Sequence, residues 1–140
     1  MNKSAKIFIN FYLPVIVWAF VIFNFSSQTT IQTSVVYWQD FVIKKLAHIT
    51  EYAVFSILLY RAFTNSGLSK AKAFGLAVAI CFLYAVSDEL HQSFTPKREP
   101  TLRDVGFDTI GSIIGGFTVW ILLPKTPKVL KDLGKKLDLL

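Results

Sequence analysis

The 140-residue sequence holds a single cysteine, Cys81, inside an apolar run, which excludes a disulfide-held scaffold. Charge is scarce as well. Only 17% of the residues are Asp, Glu, Lys or Arg, where an ordinary soluble domain carries about 25%. There is no internal repeat and no low-complexity segment. Acids are the scarcer charge, nine against fifteen Lys and Arg, for a formal net charge of +6. In a polar chain that excess would suggest a nucleic-acid partner. Here 53% of the residues are hydrophobic, 15% are aromatic and the mean hydropathy is +0.48. Lysines flanking membrane spans explain the charge more simply, and no nucleic acid is expected. So much apolar surface also excludes disorder.

Four apolar stretches are present: about 7–25, 46–63, 71–92 and 105–123. Each is long enough to cross a hydrocarbon core of about 30 Å as a helix. The strict alternation of a barrel strand is missing. The sequence therefore predicts an all-α membrane protein, a single domain over 1–140 built as a bundle of four transmembrane helices. The first stretch follows Lys3 and Lys6 as a signal peptide would. Its length and the lack of an A-x-A site favour an anchor. Between the first and second stretches, Ile31, Val35, Trp38, Phe41 and Val42 recur at helical spacing. They predict a short interfacial helix over about 34–44. The tail 124–140 mixes Leu130, Leu133 and Leu137 with lysines and is expected on the inner leaflet, beside anionic lipid.

Lysine and arginine counts set the orientation. Lys3, Lys6, Arg61, Lys70, Lys72 and tail lysines 125, 128, 131, 135 and 136 make ten on one side. Lys44, Lys45, Lys97, Arg98 and Arg103 make five on the other. The positive-inside rule predicts a plasma-membrane protein with both termini cytoplasmic. Seven of the nine acids then fall outside or in the outer halves of the spans. Acids contribute little to insertion, so a functional site on the outer face is the expected reason.

The second span opens with Lys45, His48, Glu51 and Tyr52 on one helical face. The third ends with Tyr84, Asp88, Glu89, His91 and Gln92. The fourth opens with Asp104 and Asp108, one turn apart, and Gly111 and Gly115 continue that stripe. Charged groups in hydrocarbon are expensive unless paired or wetted, which predicts an internal pocket rather than a lipid-facing surface. Arg98 and Arg103, on the preceding loop, are placed to cap it. The plainer readings are hydrogen bonds that orient the bundle for His48 and Glu51, close packing for the G-x-x-x-G pair, and core filling for Cys81.

The pattern Lys45-x-x-His48-x-x-Glu51-Tyr52, then Ser87-Asp88-Glu89-x-His91-Gln92-x-Phe94-x-Pro96-x-Arg98, then Asp104 and the Gly111/Gly115 pair, resembles the VanZ-like family of small membrane proteins. That family is named for an accessory factor in glycopeptide resistance associated with teicoplanin. The resemblance runs from Phe25-Ser26-Ser27-Gln28 to Gly115. It implies a bacterial-type membrane protein of the cell envelope and supplies no chemical mechanism. Two positions depart from the family pattern. Lys97 stands where glycine is common, and Asp108 where asparagine is common.

Three functions compete. An enzyme acting on an envelope or lipid-linked substrate would use His48, Glu51, Asp88, His91 and Asp104 for acid–base work. Lys45, Tyr52, Glu89, Gln92, Arg98, Arg103 and Asp108 would bind the substrate. Ser26 or Ser27 is a possible nucleophile. A divalent metal held by His48, Glu51, Asp88 and His91 is a lesser variant of the same reading, and no other cofactor is indicated. The second function is a non-catalytic binder of a lipid headgroup or lipoglycopeptide, rimmed by Tyr37, Trp38 and Phe94. A proton-linked transporter ranks last, because the inner halves of the spans lack carboxylates.

Overall fold

The computed structural model of the chain describes residues 2–28, 36–95 and 101–140. Among these residues there is no strand. Helix α1 is Ser4–Ser26, α2 is Tyr37–Asn65, α3 is Lys70–Gln92, α4 is Leu102–Lys125 and α5 is Lys128–Lys136. The four long helices run alternately up and down. Tyr12 of α1 thus meets Ser66 after α2 at one end, while Lys45 of α2 meets Asp104 of α4 at the other.

Among the described residues three helices are long and apolar enough to cross a membrane: α1, α3 and α4. The fourth expected span, in α2, does not reach the same standard. At 29 residues α2 extends about 43 Å, but His48, Glu51, Tyr52 and Arg61 dilute its apolar content. The separate interfacial helix also changes. From Tyr37 onward it is the opening of α2 itself, since no glycine or proline interrupts 37–65. Residues 34 and 35 of that expectation lie outside the described residues. Gly67, at φ +96°, stops α2 in the left-handed conformation that glycine adopts freely.

Lipid-facing character is clearest in α1. Phe8, Ile9, Leu13, Ile16, Val17 and Phe20 are exposed, and only Val15, Ile22 and Ser26 of Leu13–Ser26 are buried. The interior is made by close approach of small residues. Gly111 and Gly115 of α4 lie against the α2 backbone. A Cβ added there would sit 2.8 Å from Ile49 Cα and 2.7 Å from Ala53 Cα. The G-x-x-x-G pair is thus a packing device, and α2 with α4 forms the most extensive interface. On α3, Ala73, Ala77, Cys81 and Ala85 recur every four residues and are fully buried. Cys81 is the core residue that its setting suggested.

Two prolines shape the end of the bundle where the N terminus lies. A five-residue π stretch, Phe8–Tyr12, precedes Leu13-Pro14, and another, Thr118–Leu122, precedes Leu123-Pro124. Proline has no N–H and leaves the carbonyl four residues earlier unmet. For Pro14 that carbonyl belongs to Asn10, and Arg61 Nη1 donates to it at 2.9 Å. The same guanidinium donates from Nε to Leu137 O at 2.6 Å and from Nη2 to Asp138 at 3.1 Å. The tail is therefore tied to the bundle by these bonds. Its last residues fold back onto the end of α2.

Candidate functional site

At the opposite end the polar residues of α2, α3 and α4 converge. Two rungs join α2 to α4. Lys45 Nζ pairs with Asp104 Oδ1, and one turn deeper His48 Nδ1 meets Asp108 Oδ1 at 2.9 Å. The rungs follow from spacing. Residues 45 and 48 share a face of α2, residues 104 and 108 share a face of α4, and Gly111 and Gly115 bring these faces together. Asp108 is 0% exposed and Asp104 is 9% exposed. Lys45 also lies 5.4 Å from the Phe41 ring centroid and 5.7 Å from that of Phe107, so aromatic faces share its charge.

From α3, Asp88 accepts a hydrogen bond from Gln92 Nε2 at 2.9 Å. It lies within electrostatic reach of both His48 and His91. Ser26, buried at the end of α1, lies against Asp88. Glu89 Oε2 accepts from the Thr101 backbone N–H at 2.8 Å. It thereby places negative charge at the start of α4, where the helix dipole favours it. Tyr52 is wholly buried and lies near both Asp108 and Asp88. Among the described residues its hydroxyl, Asp108 Oδ2 and Glu89 Oε1 find no hydrogen-bond partner. Buried polar atoms left unpaired are costly.

Helical spacing offers His48 a carboxylate one turn on, Glu51, and its Nδ1 meets Asp108 across the bundle. Glu51 is half-buried and within electrostatic reach of His48, while its backbone carbonyl accepts from Trp18 Nε1 at 2.9 Å, tying α1 to the site. His91, one turn from Asp88, stays within its electrostatic reach. Its Nε2 lies 3.1 Å from Ser27 Oγ and its ring packs on Phe23 at 4.6 Å, so it faces α1. Arg103 is exposed and stacks over Phe41 at 5.0 Å, at the rim. Arg98 lies outside the described residues, as do Pro96 and Lys97. Among the described residues no group of three or more His, Cys, Asp or Glu is placed to hold a metal ion. His48 and His91 also turn to different neighbours, which does not favour the four-ligand arrangement.

Ser56, Tyr60 and Ser112 escaped the reading of the sequence. Ser56 and Tyr60 extend the spacing of His48 and Tyr52 by four residues each time, giving a row at 48, 52, 56 and 60 along one face of α2. Ser56, Tyr60 and Ser112 are completely buried, and the Ser56 and Tyr60 hydroxyls have no partner. The constant interval of four was the available signal.

Lipid-length apolar helices closed around a buried polar centre define an all-helical membrane protein. Within that class, the chain belongs to the VanZ/LLP1 family, whose pattern it matches over residues 11–123. The match spans α1 to α4 and leaves α5 outside. No curated protein and no solved structure matches the chain.

Proposed function

We propose that the protein works at the outer face of the plasma membrane on an envelope or lipid-linked substrate, and that this activity contributes to resistance to glycopeptides of the teicoplanin type. In this reading α2 is a fourth span and both termini are cytoplasmic. The rung end of the bundle faces outward. The observation that carries the proposal is the buried His48–Asp108 pair, beside polar atoms of Asp108, Tyr52 and Glu89 that find no partner among the described residues. A histidine fixed through Nδ1 by a carboxylate keeps Nε2 for proton transfer. Glu51 and Asp88, both within electrostatic reach, would support the charge that His48 acquires. Lys45, held by Asp104, can exchange that partner for a substrate phosphate or carboxylate.

A second reading rests on the rim. Tyr37, Trp38, Phe94 and Leu102 are strongly exposed at the same end, and aromatic side chains there suit a headgroup-level binder that needs no chemistry. One experiment separates the two. Teicoplanin susceptibility is measured in a sensitive bacterium carrying wild type, His48→Gln, Glu51→Gln or Trp38→Ala, at membrane abundance matched by immunoblot. Acid–base chemistry predicts protection by wild type, loss in His48→Gln and Glu51→Gln, and little change in Trp38→Ala. Binding alone predicts the reverse pattern. No protection by wild type rejects the resistance role.

A further inference from the structure

The proposed activity leaves α5 unused, and the match to the family ends before it. Helix α5 divides cleanly into two arcs. Val129, Leu130, Leu133 and Leu137 lie within about 100° of one another around the axis. All four are exposed, Val129 at 80%. Lys128, Lys131 and Lys135 occupy the opposite arc, and Lys136 lies at the flank. The bundle covers neither arc. It grips α5 at Gly134, where an added Cβ would come within 2.8 Å of Leu123 Cδ2 and 3.2 Å of Leu140 Cδ1. That contact sets the rotation of the helix and leaves the leucine arc outward.

Both ends of α5 are also tied to the end of the bundle. Only Thr126 and Pro127 separate Lys128 from the last residue of α4, a reach of about 10 Å to Lys128. At the other end, Arg61 holds Leu137 O and the Asp138 carboxylate while also bonding Asn10 O inside α1. Asn65 Nδ2 adds a bond to Asp138 O at 3.0 Å. The helix is thus fastened across the level at which α4 leaves the membrane and cannot project away from it. A nine-residue helix in water is marginal by itself, and its apolar arc is exposed next to the end of α4.

We infer that α5 is a docking site for anionic phospholipid: its leucine-rich arc enters the leaflet in which α4 ends, and its lysines engage the phosphates of anionic headgroups. The charge fits. Residues 125–140 hold five lysines and two aspartates, and Asp138 is already matched by Arg61. Lysine-rich amphipathic helices with this division lie in the interface and favour anionic lipid. A second copy seated on the leucine arc would be a poorer occupant, because it would leave Lys128, Lys131 and Lys135 on the opposite arc without the counter-charge that anionic lipid supplies.

The test uses the full chain with Cys81→Ala, spin-labelled at Val129→Cys or Lys131→Cys, in lipid nanodiscs. Discs of phosphatidylcholine with phosphatidylglycerol are compared with discs of phosphatidylcholine alone, and oxygen and nickel accessibility report depth. The expected result is a Val129 label below the lipid phosphates in the anionic discs. It moves to the water side without phosphatidylglycerol or at high salt, while the Lys131 label stays in water throughout. Replacing Lys128, Lys131, Lys135 and Lys136 by Gln in the Val129-labelled chain should abolish the dependence on phosphatidylglycerol, with the size-exclusion profile unchanged. A Val129 label in water in the anionic discs overturns the inference. So does a depth that ignores lipid charge, or dipolar broadening showing a second copy seated on the arc.

Discussion

Removing the carboxylate of Asp108 tests whether the deeper rung is a charged pair that the bundle depends on. Asp108 is completely buried, and the His48 side chain is 16% exposed, so solvent screens their 2.9 Å contact weakly. Asp108→Ala would strip Nδ1 of its partner and leave a small void beside Gly111. Breaking a buried pair by deleting one member costs about 3–5 kcal/mol. Asp108→Asn differs in kind. It retains an oxygen that can accept from Nδ1 and loses only the charge, so the expected loss falls to about 1–1.5 kcal/mol, the difference between a charge-assisted and a neutral hydrogen bond. Reversible unfolding in mixed micelles with rising SDS fraction measures both. A cycle with His48→Ala isolates the pair, and its coupling should exceed about 1 kcal/mol. Equal stability of Asp108→Ala and wild type would refute the reasoning. So would equal losses in Asn and Ala, since the hydrogen bond would then contribute nothing apart from charge.

The remaining predictions use the same unfolding assay or a simple protease. Gly111→Ala and Gly115→Ala should each cost about 1–3 kcal/mol or more, because their Cβ atoms would press on the rigid backbone of Ile49 and Ala53. Gly106→Ala, with nothing within 4 Å of its added Cβ, should be neutral or slightly stabilising. Arg61→Lys should release the tail, since one ammonium cannot reproduce a fork that meets Asn10, Leu137 and Asp138 together. Faster tryptic cleavage at Lys135 and Lys136 is the readout, and an unchanged rate would contradict the latch. Trp18→Phe removes the bond to Glu51 O and should loosen α1 from α2, visible as faster hydrogen exchange in α1.

Faces of single helices were legible in the sequence, and their mutual docking was not. The interval between Asp104 and Asp108, or between Lys45 and His48, places each pair on one stripe. It does not say which stripe meets which. That choice is made by Gly111 and Gly115, whose missing side chains let α4 press on α2 and set Asp104 opposite Lys45 and Asp108 opposite His48. For the histidines the structure adds neighbours on other helices, Asp108 for His48 and Ser27 for His91. His91 lies about 60° around α3 from Asp88, and that angle turns it towards Phe23 and Ser27 of α1. The start of α2 was missed because amphipathic spacing in 34–44 suggested a boundary that requires a helix breaker, and none follows Tyr37. The Arg61 latch could not be read at all. It exists because Pro14 frees a carbonyl on another helix and the tail supplies Leu137 O and Asp138 from 76 and 77 residues away.

Asp108, one of the two positions at which the sequence departs from the pattern it resembles, makes the deeper of the two rungs. Where asparagine is common, an amide would hold His48 by a neutral hydrogen bond. Here a carboxylate holds it, with Asp88 and Asp104 close enough for their charges to act on Asp108. A packing role needs only an acceptor for Nδ1, and either side chain provides one. A proton-transfer role depends on charge, because a carboxylate stabilises the cation that His48 becomes and an amide does so far less. Asp108→Asn therefore separates structure from chemistry in one variant. A small loss of stability with a large loss of function would assign the carboxylate to the reaction. Function that follows stability would make His48 and its neighbours the frame of a binding site.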